Sequence, residues 1–226
     1  MTAKQKIEDM IKTMAGRYSA YEVFSSWIQC CAIAVANGCS VRRDTLWKKR
    51  EDEYISVIRR FTEEEQRMFA EMFVLLGDAL TENLSDVLGE IYMEMEMGSK
   101  TSGQFFTPFH VSELVARMSI MSSDTQMTIL NGEIVKLNEP SCGGGGMIIA
   151  AAKVLKDMGV NYQKRMDVVA QDLDWKGVYM CYLQLSLLGI SAVVVQGDTL
   201  QDPWNRKYPK ERTLITPRKA GALALW

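Results

Sequence analysis

Histidine is almost missing from this chain. His110 stands alone among 226 residues, which excludes a zinc site of the usual Cys/His make-up. Cysteine is scarce as well. Cys30, Cys31, Cys39, Cys142 and Cys181 form no C-x-x-C pair. Free thiols and the lack of a signal peptide point to the cytoplasm. Long apolar runs are also lacking: the stretch Trp27 to Ala36 is too short to span a bilayer, so no membrane role is expected. Excess basic charge is missing too. The formal net charge is -2, so no global field announces nucleic acid. What remains is an ordinary soluble composition, 47% hydrophobic and 24% charged, long enough for one large domain or two small ones. The 15 methionines read as adaptable core filler.

Residues 1–98 read as helical. Lys4 to Met14 is amphipathic. Ser19 to Asn37 places Tyr21, Phe24, Trp27, Ile28, Cys31 and Val35 at helical spacing and stops at Gly38. Thr45 to Arg60 follows. Thr62-Glu63-Glu64-Glu65 is a capping box that opens the next helix, and Ser85 to Met97 is another. Arg42, Arg43, Lys48, Lys49 and Arg50 are either a solvated helix face or phosphate contacts. The polar stretch Gly98 to Gly103 is the expected domain boundary, dividing 1–98 from 99–226. After it, Thr107 is expected to cap a helix that begins at Pro108. Val111, Leu114, Val115 and Met118 form that helix's expected buried stripe.

The chain is organised around Glu139-Pro140-Ser141-Cys142-Gly143-Gly144-Gly145-Gly146. Four consecutive glycines let the backbone take positive φ and approach a ligand closely. Strand-like runs precede them, at Thr128 to Leu130 and Ile134 to Leu137, and a helix start follows. Strand, glycine turn and helix place a nucleotide-like cofactor at the carboxyl edge of a sheet. The bland alternative is a tight turn with no ligand. Two further strands, Asp167 to Gln171 and Ala192 to Gln196, run into Asp172 and Asp198. Helices alternate with them, which gives a parallel sheet. A carboxylate after the second strand suits ribose hydroxyls, and a nicotinamide enzyme would use it too. The turn lacks G-x-G-x-x-G, and Glu139 would oppose a pyrophosphate. A cationic or zwitterionic ligand, such as S-adenosylmethionine, fits better.

Together, Gly103-Gln104-Phe105-Phe106-Thr107-Pro108, the Glu139 to Gly146 motif, Gln171-Asp172 and Gly197-Asp198-Thr199-Leu200 resemble the adenine-specific DNA methylases. The likeness is nearest to the modification (methylase) subunit of type I restriction–modification systems. Asp86 to Tyr92 is similar to the end of that family's helical N-terminal domain. The resemblance implies an α/β fold: a helical N-terminal domain, then a truncated S-adenosylmethionine-dependent methyltransferase domain, Rossmann-like and doubly wound. It implies S-adenosylmethionine as cofactor and DNA as partner. By the same resemblance Phe105, Phe106, Thr107 and Pro108 lie against the methionine end of the cofactor. Glu139, Pro140, Gly143, Gly144 and Gly145 surround its amino-acid portion. Asp172 takes the ribose hydroxyls, Asp198 the adenine amine, and Leu173 and Leu200 flank the adenine ring.

The chain departs from this family in one place. Adenine methylases carry N-P-P-Y/F or D-P-P-Y/F/W after the fourth strand, to hold and stack a flipped adenine. Here the expected fourth strand, Arg212 to Ile215, runs into Thr216-Pro217-Arg218-Lys219, so Thr216 and Pro217 occupy a degenerate catalytic position. Methyl transfer to adenine is therefore expected to be absent or very weak. A full methylase sheet needs about three more strands, supplied by a homodimer or by a second polypeptide completing the sheet. The alternative function is a degenerate methylase that binds cofactor or a partner as a regulatory or anti-restriction protein.

Overall fold

A computed structural model describes residues 1–95, 97, 106–204 and 208–221. The first part is helical: α1 (Ala3–Met14), α2 (Ala20–Gly38), α3 (Thr45–Ile58), α4 (Glu63–Glu82) and α5 (Val87–Glu94). The capping box at Thr62 and Glu65 forms as expected, and Thr2 with Gln5 and Ser19 with Glu22 make two more. Each satisfies backbone N–H groups that a helix start leaves orphaned. Phe24, Trp27 and Ile28 are fully buried on α2. The Trp27 indole N–H donates to the Phe69 carbonyl at 3.1 Å, so the ring is buried without stranding its donor.

The second part comprises α6 (Phe109–Ile120), α7 (Ser123–Leu130), β1 (Val135–Glu139), α8 (Gly146–Asp157), α9 (Tyr162–Arg165), β2 (Met166–Asp172), α10 (Trp175–Leu187), β3 (Ser191–Gln196), a short 3-10 turn (Lys210–Arg212), β4 (Thr213–Ile215) and α11 (Pro217–Ala220). The strands form one sheet in the order β1-β2-β3-β4. β1, β2 and β3 are parallel, with Leu137 opposite Val168 and Ala170 opposite Val194. Crossover helices α8 and α10 join them, so the carboxyl ends of the three strands lie along one edge. This is one half of a Rossmann-like sheet. A single buried cluster includes Ile7 of α1, Leu88 of α5, Leu183 of α10 and Val194 of β3, and α10 packs against α2. The helical segment and the sheet thus share a core. The expected boundary, 98–103, lies outside the described residues. Among those described, no helix is long and apolar enough to cross a membrane.

Four expectations are corrected. Thr128 to Leu130 is not a strand but the end of α7, closed by Gly132 at φ 74°; three β-prone residues do not outweigh a helix already begun at Ser123. Pro108, not Thr107, occupies the cap position of α6, with no side-chain cap bond. The buried face of α6 is Ser112, Ala116 and Ile120, and Leu114 and Met118 are 59% and 71% exposed. α6 packs along α8, whose Ala150, Ala151 and Ala152 are buried. Small residues on both helices permit a close approach. Glu113 then bridges Arg117 and Lys153 at 2.7 and 2.8 Å. Finally, β4 is antiparallel to β3, pairing Val194 with Leu214. A parallel return needs a long crossover, usually a helix, and the described part of the 197–212 connection holds only the 3-10 turn.

Candidate functional site

The carboxyl edge opens into a cleft of about 610 Å³, within the usual range for small-ligand sites, about 300–1,000 Å³. β1 ends at Glu139, and the chain turns through Pro140 to Gly145 into α8. Gly143 and Gly145 take φ of 48° and 95°, conformations that L side chains rarely adopt. The glycines are also packed against the protein itself. A Cβ on Gly143 would lie 2.8 Å from the Phe106 ring, and one on Gly145 would lie 3.2 Å from Cys181 Sγ. On Gly144 and Gly146 it would lie 2.9 and 3.0 Å from the Asp86 carboxylate. Sequence reasoning assigned these glycines to ligand approach. The structure shows that they also admit Phe106, Cys181 and Asp86.

Asp172, at the end of β2, accepts from the Gly143 N–H at 2.8 Å through Oδ2 and from the Asp174 N–H at 2.9 Å through Oδ1. It therefore fixes the glycine turn as well as lining the cleft. Gly177 of α10 leaves room for it, since a Cβ there would lie 3.2 Å from the carboxylate. Asp198, after β3, accepts from the Leu200 N–H at 2.9 Å. The Thr199 hydroxyl donates to the Pro140 carbonyl at 2.5 Å, tying the third loop to the first.

Phe106, Thr107, Pro140, Gly143, Gly144, Asp172, Leu173, Asp198 and Leu200 come together in the lining of this cleft. Leu173 and Leu200 are 66% and 95% exposed, apolar flanks at its rim. Pro108, Glu139 and Gly145 do not line it. Pro108 faces a neighbouring groove with Glu90 and Glu94. Glu139 is half-buried, its carboxyl pushed up by burial, and accepts from Ser141 N–H at 3.4 Å. Phe105 lies outside the described residues. Thr216 and Pro217 are far from this edge. Thr216 is fully buried; its Oγ1 donates to the Ile190 carbonyl at 2.7 Å and accepts from the Ala192 N–H at 2.9 Å. That places it at the amino end of β3.

Sequence reasoning missed Asp86 as a cleft residue. It caps α5, its Oδ1 accepting from the Gly89 N–H at 2.9 Å and from Gln184 Nε2 at 2.8 Å. It is 5% exposed, and burial raises its carboxyl above the ordinary aspartate range. Ser112 also lines the cleft, fully buried, its hydroxyl without a hydrogen-bond partner among the described residues. Cys142 is buried, and its contact with Cys181 and its burial push the thiol up, so it is not an activated nucleophile.

Parallel strands, a glycine turn into a helix and carboxylates on the strand ends define a Rossmann-like cofactor-binding domain. The model of the N-6 DNA methylase family matches residues 83–217, more than half of the chain, and the chain belongs to that family. S-adenosylmethionine is the cofactor of such methylases. A curated relative, the type I restriction enzyme MpnII methylase subunit of Mycoplasma pneumoniae, is 24% identical over 156 residues, covering 65% of this chain and 27% of that protein. The chain thus spans about a quarter of the length of the relative it matches. Among solved structures, a Listeria monocytogenes protein described as a class I S-adenosylmethionine-dependent methyltransferase matches at 14% identity and TM-score 0.45, covering 91% of this chain and 55% of that one. The methyltransferase subunit of a type I restriction–modification system from Streptococcus thermophilus matches at 13% identity and TM-score 0.46, covering 92% and 60%.

Proposed function

We propose that the chain holds S-adenosylmethionine in this cleft and forms the cofactor-binding part of an adenine-specific DNA methylase of the type I restriction–modification kind. The observation that carries the reading is the charge of the cleft. Asp86, Asp172 and Asp198 line it, and among the described residues no Lys, Arg or His does. Such a site repels a pyrophosphate and attracts a cation. When bound, the cofactor supplies a methyl group on a positively charged sulfur. The chain's own residues bind and orient it. Asp172 has acceptor capacity left for ribose hydroxyls after its two backbone bonds. Asp198 presents a carboxylate toward an adenine amine, and Leu173 and Leu200 flank the ring. Phe106 closes the methionine end over Gly143.

DNA is the proposed macromolecular partner, on family grounds. A second polypeptide is proposed to complete the sheet along β1, which pairs only with β2 among the described residues. On α6, on α7 and in the segments after each, Leu114, Met118, Met121, Met127, Leu130 and Ile134 are each at least half exposed. Unpaired edges and contiguous apolar surface are usually covered. Titration calorimetry with S-adenosylmethionine tests the cofactor reading. Binding is expected, and Asp172→Ala is expected to weaken it about ten- to a hundredfold, the cost of a charge-assisted hydrogen bond. No heat and no thermal shift at millimolar cofactor would refute it.

A further inference from the structure

Asp86 is the most buried of the three cleft carboxylates, and it arrives from the helical segment rather than from the sheet. Its two oxygens are used unequally. Oδ1 accepts both recorded hydrogen bonds, from Gly89 N–H and from Gln184 Nε2. Oδ2 takes no hydrogen bond among the described residues and lies against Gly144 and Gly146 of the turn, 3.2 and 3.0 Å from where their Cβ atoms would be. Side chains on those two glycines would collide with it. Among the described residues no lysine, arginine or histidine lines the cleft, so none of them compensates the charge. A buried carboxylate without a countercharge is costly, and a cationic ligand removes that cost. Ser112, with its orphaned hydroxyl, lines the same cleft. One anionic acceptor and one neutral donor, each without a hydrogen-bond partner among the described residues, match the ammonium and carboxylate of an α-amino acid.

We propose that Asp86 Oδ2 receives the α-ammonium of the cofactor's methionine portion, the role that the motif resemblance assigned to Glu139. The assignment rests on the S-adenosylmethionine reading above. It explains why Glu139 lies outside the cleft lining while a residue more than fifty positions earlier in the chain lies inside it. Asp86 is a binding residue that also joins the helical segment to the glycine turn, so the cofactor is held by both parts of the chain at once.

Asp86→Asn is the suitable variant, because its remaining carbonyl oxygen can keep both Oδ1 hydrogen bonds while the charge is removed. Two ligands are titrated by calorimetry into each protein: S-adenosylhomocysteine, and 5′-methylthioadenosine, which lacks the amino-acid end. The variant is expected to lose about ten- to a hundredfold in affinity for the first and less than twofold for the second. Glu139→Gln is expected to change neither by more than about threefold. Equal losses for both ligands, or an unchanged affinity for S-adenosylhomocysteine, overturn the assignment. A ligand-side measurement on the unmodified protein guards against a folding defect. S-adenosylhomocysteine without its amino group should bind at least tenfold more weakly than the compound without its carboxylate, and the reverse order overturns the proposal. If the unmodified protein binds 5′-methylthioadenosine and the variant shows no selective loss, the cofactor reading survives and only Asp86 fails. If it binds no adenosyl compound, the underlying reading fails and this assignment with it.

Discussion

Gln184→Leu tests how the glycine turn is held. Gln184 is fully buried on α10. Its Nε2 donates to Asp86 Oδ1 at 2.8 Å and to the Gly144 carbonyl at 2.7 Å, and its Oε1 accepts from the Leu88 N–H at 3.1 Å. One amide thus joins α10, the first turn of α5 and the turn of the cleft. Leucine roughly preserves the volume, so no large cavity is created. Two buried backbone groups, the Leu88 N–H and the Gly144 carbonyl, lose their recorded partner. Each costs about 1–3 kcal/mol when left unsatisfied, giving about 2–6 kcal/mol in all. Against a typical domain stability of about 5–15 kcal/mol, that is a severe loss. Urea unfolding followed by circular dichroism should show it as a lower midpoint at unchanged slope. Gln163→Leu is the control, since Gln163 is exposed and its amide donates to the Leu188 carbonyl at 3.0 Å; it should cost under about 1 kcal/mol. A Gln184→Leu loss no larger than the control's would refute the claim that this amide holds the turn.

Asp86→Asn should stabilise the ligand-free protein above the acid range while weakening cofactor binding. The folded protein raises the Asp86 carboxyl, by burial and by repulsion from Glu90, so it holds that proton more tightly than the unfolded chain does. Wild-type stability therefore falls as pH climbs from about 4 through the raised value, and the gap between wild type and variant should close below about pH 4; a thermal-shift series across pH reads this directly, and an equal gap at all pH values contradicts it. Gly145→Ala should cost about 1–2 kcal/mol from its φ of 95° alone, with its methyl pressed toward Cys181 Sγ; an unchanged unfolding midpoint would mean that the turn relaxes freely. Thr216→Val should destabilise by about 2–6 kcal/mol, about 1–3 for each of the two groups it strands, the Ala192 N–H and the Ile190 carbonyl, yet leave S-adenosylhomocysteine affinity unchanged, because Thr216 sits at the amino end of β3.

The local features were readable from sequence because their causes are local. The Thr62 box needs only residues 62–65, and the ends of β2 and β3, expected at Gln171 and Gln196 and found at Asp172 and Gln196, follow from short β-branched runs stopped by polar residues. The glycine turn announced itself in the same way. What was not readable depends on partners distant in the chain. Asp86 enters the cleft because α5 packs beside the turn, a contact between residues 86 and 144 that no periodicity encodes. The packed face of α6 went to Ala116 and Ser112, since the alanine-rich α8 rewards a close approach more than a bulky stripe does. The direction of β4 was set by the connection before it, not by its own residues.

The last prediction concerns chemistry. This chain alone is expected not to methylate adenine in DNA at the rate of a working methylase. A flipped base has lost its pairing and stacking, so the enzyme must offer a hydrogen-bonding side chain and an aromatic face beside the methyl donor. The adenine amine is a poor nucleophile, its lone pair delocalised into the ring, and bonds aimed at its transition state must be supplied by placed groups. Among the described residues the nearest sequence match for those groups, Thr216-Pro217-Arg218-Lys219, is committed elsewhere. Arg218 Nε donates to the Gln163 carbonyl at 3.2 Å, and Lys219 pairs with Asp167 at 2.6 Å, at the start of β2 and opposite the cleft. Asp202-Pro203-Trp204 does not line the cleft either. Its backbone is pinned by Gln171, through the Asp202 carbonyl at 2.9 Å and the Trp204 N–H at 2.9 Å. Loss of even one such transition-state contact costs about 10²–10³ in rate, and here the whole set is missing from the described cleft. Transfer of tritiated methyl groups to unmethylated genomic DNA should stay at background. Several turnovers per minute with this chain alone would show that the base-holding groups have been misplaced. Transfer that appears only on adding a second polypeptide would instead support a partner along β1, because a strand there would extend the carboxyl edge beyond the glycine turn.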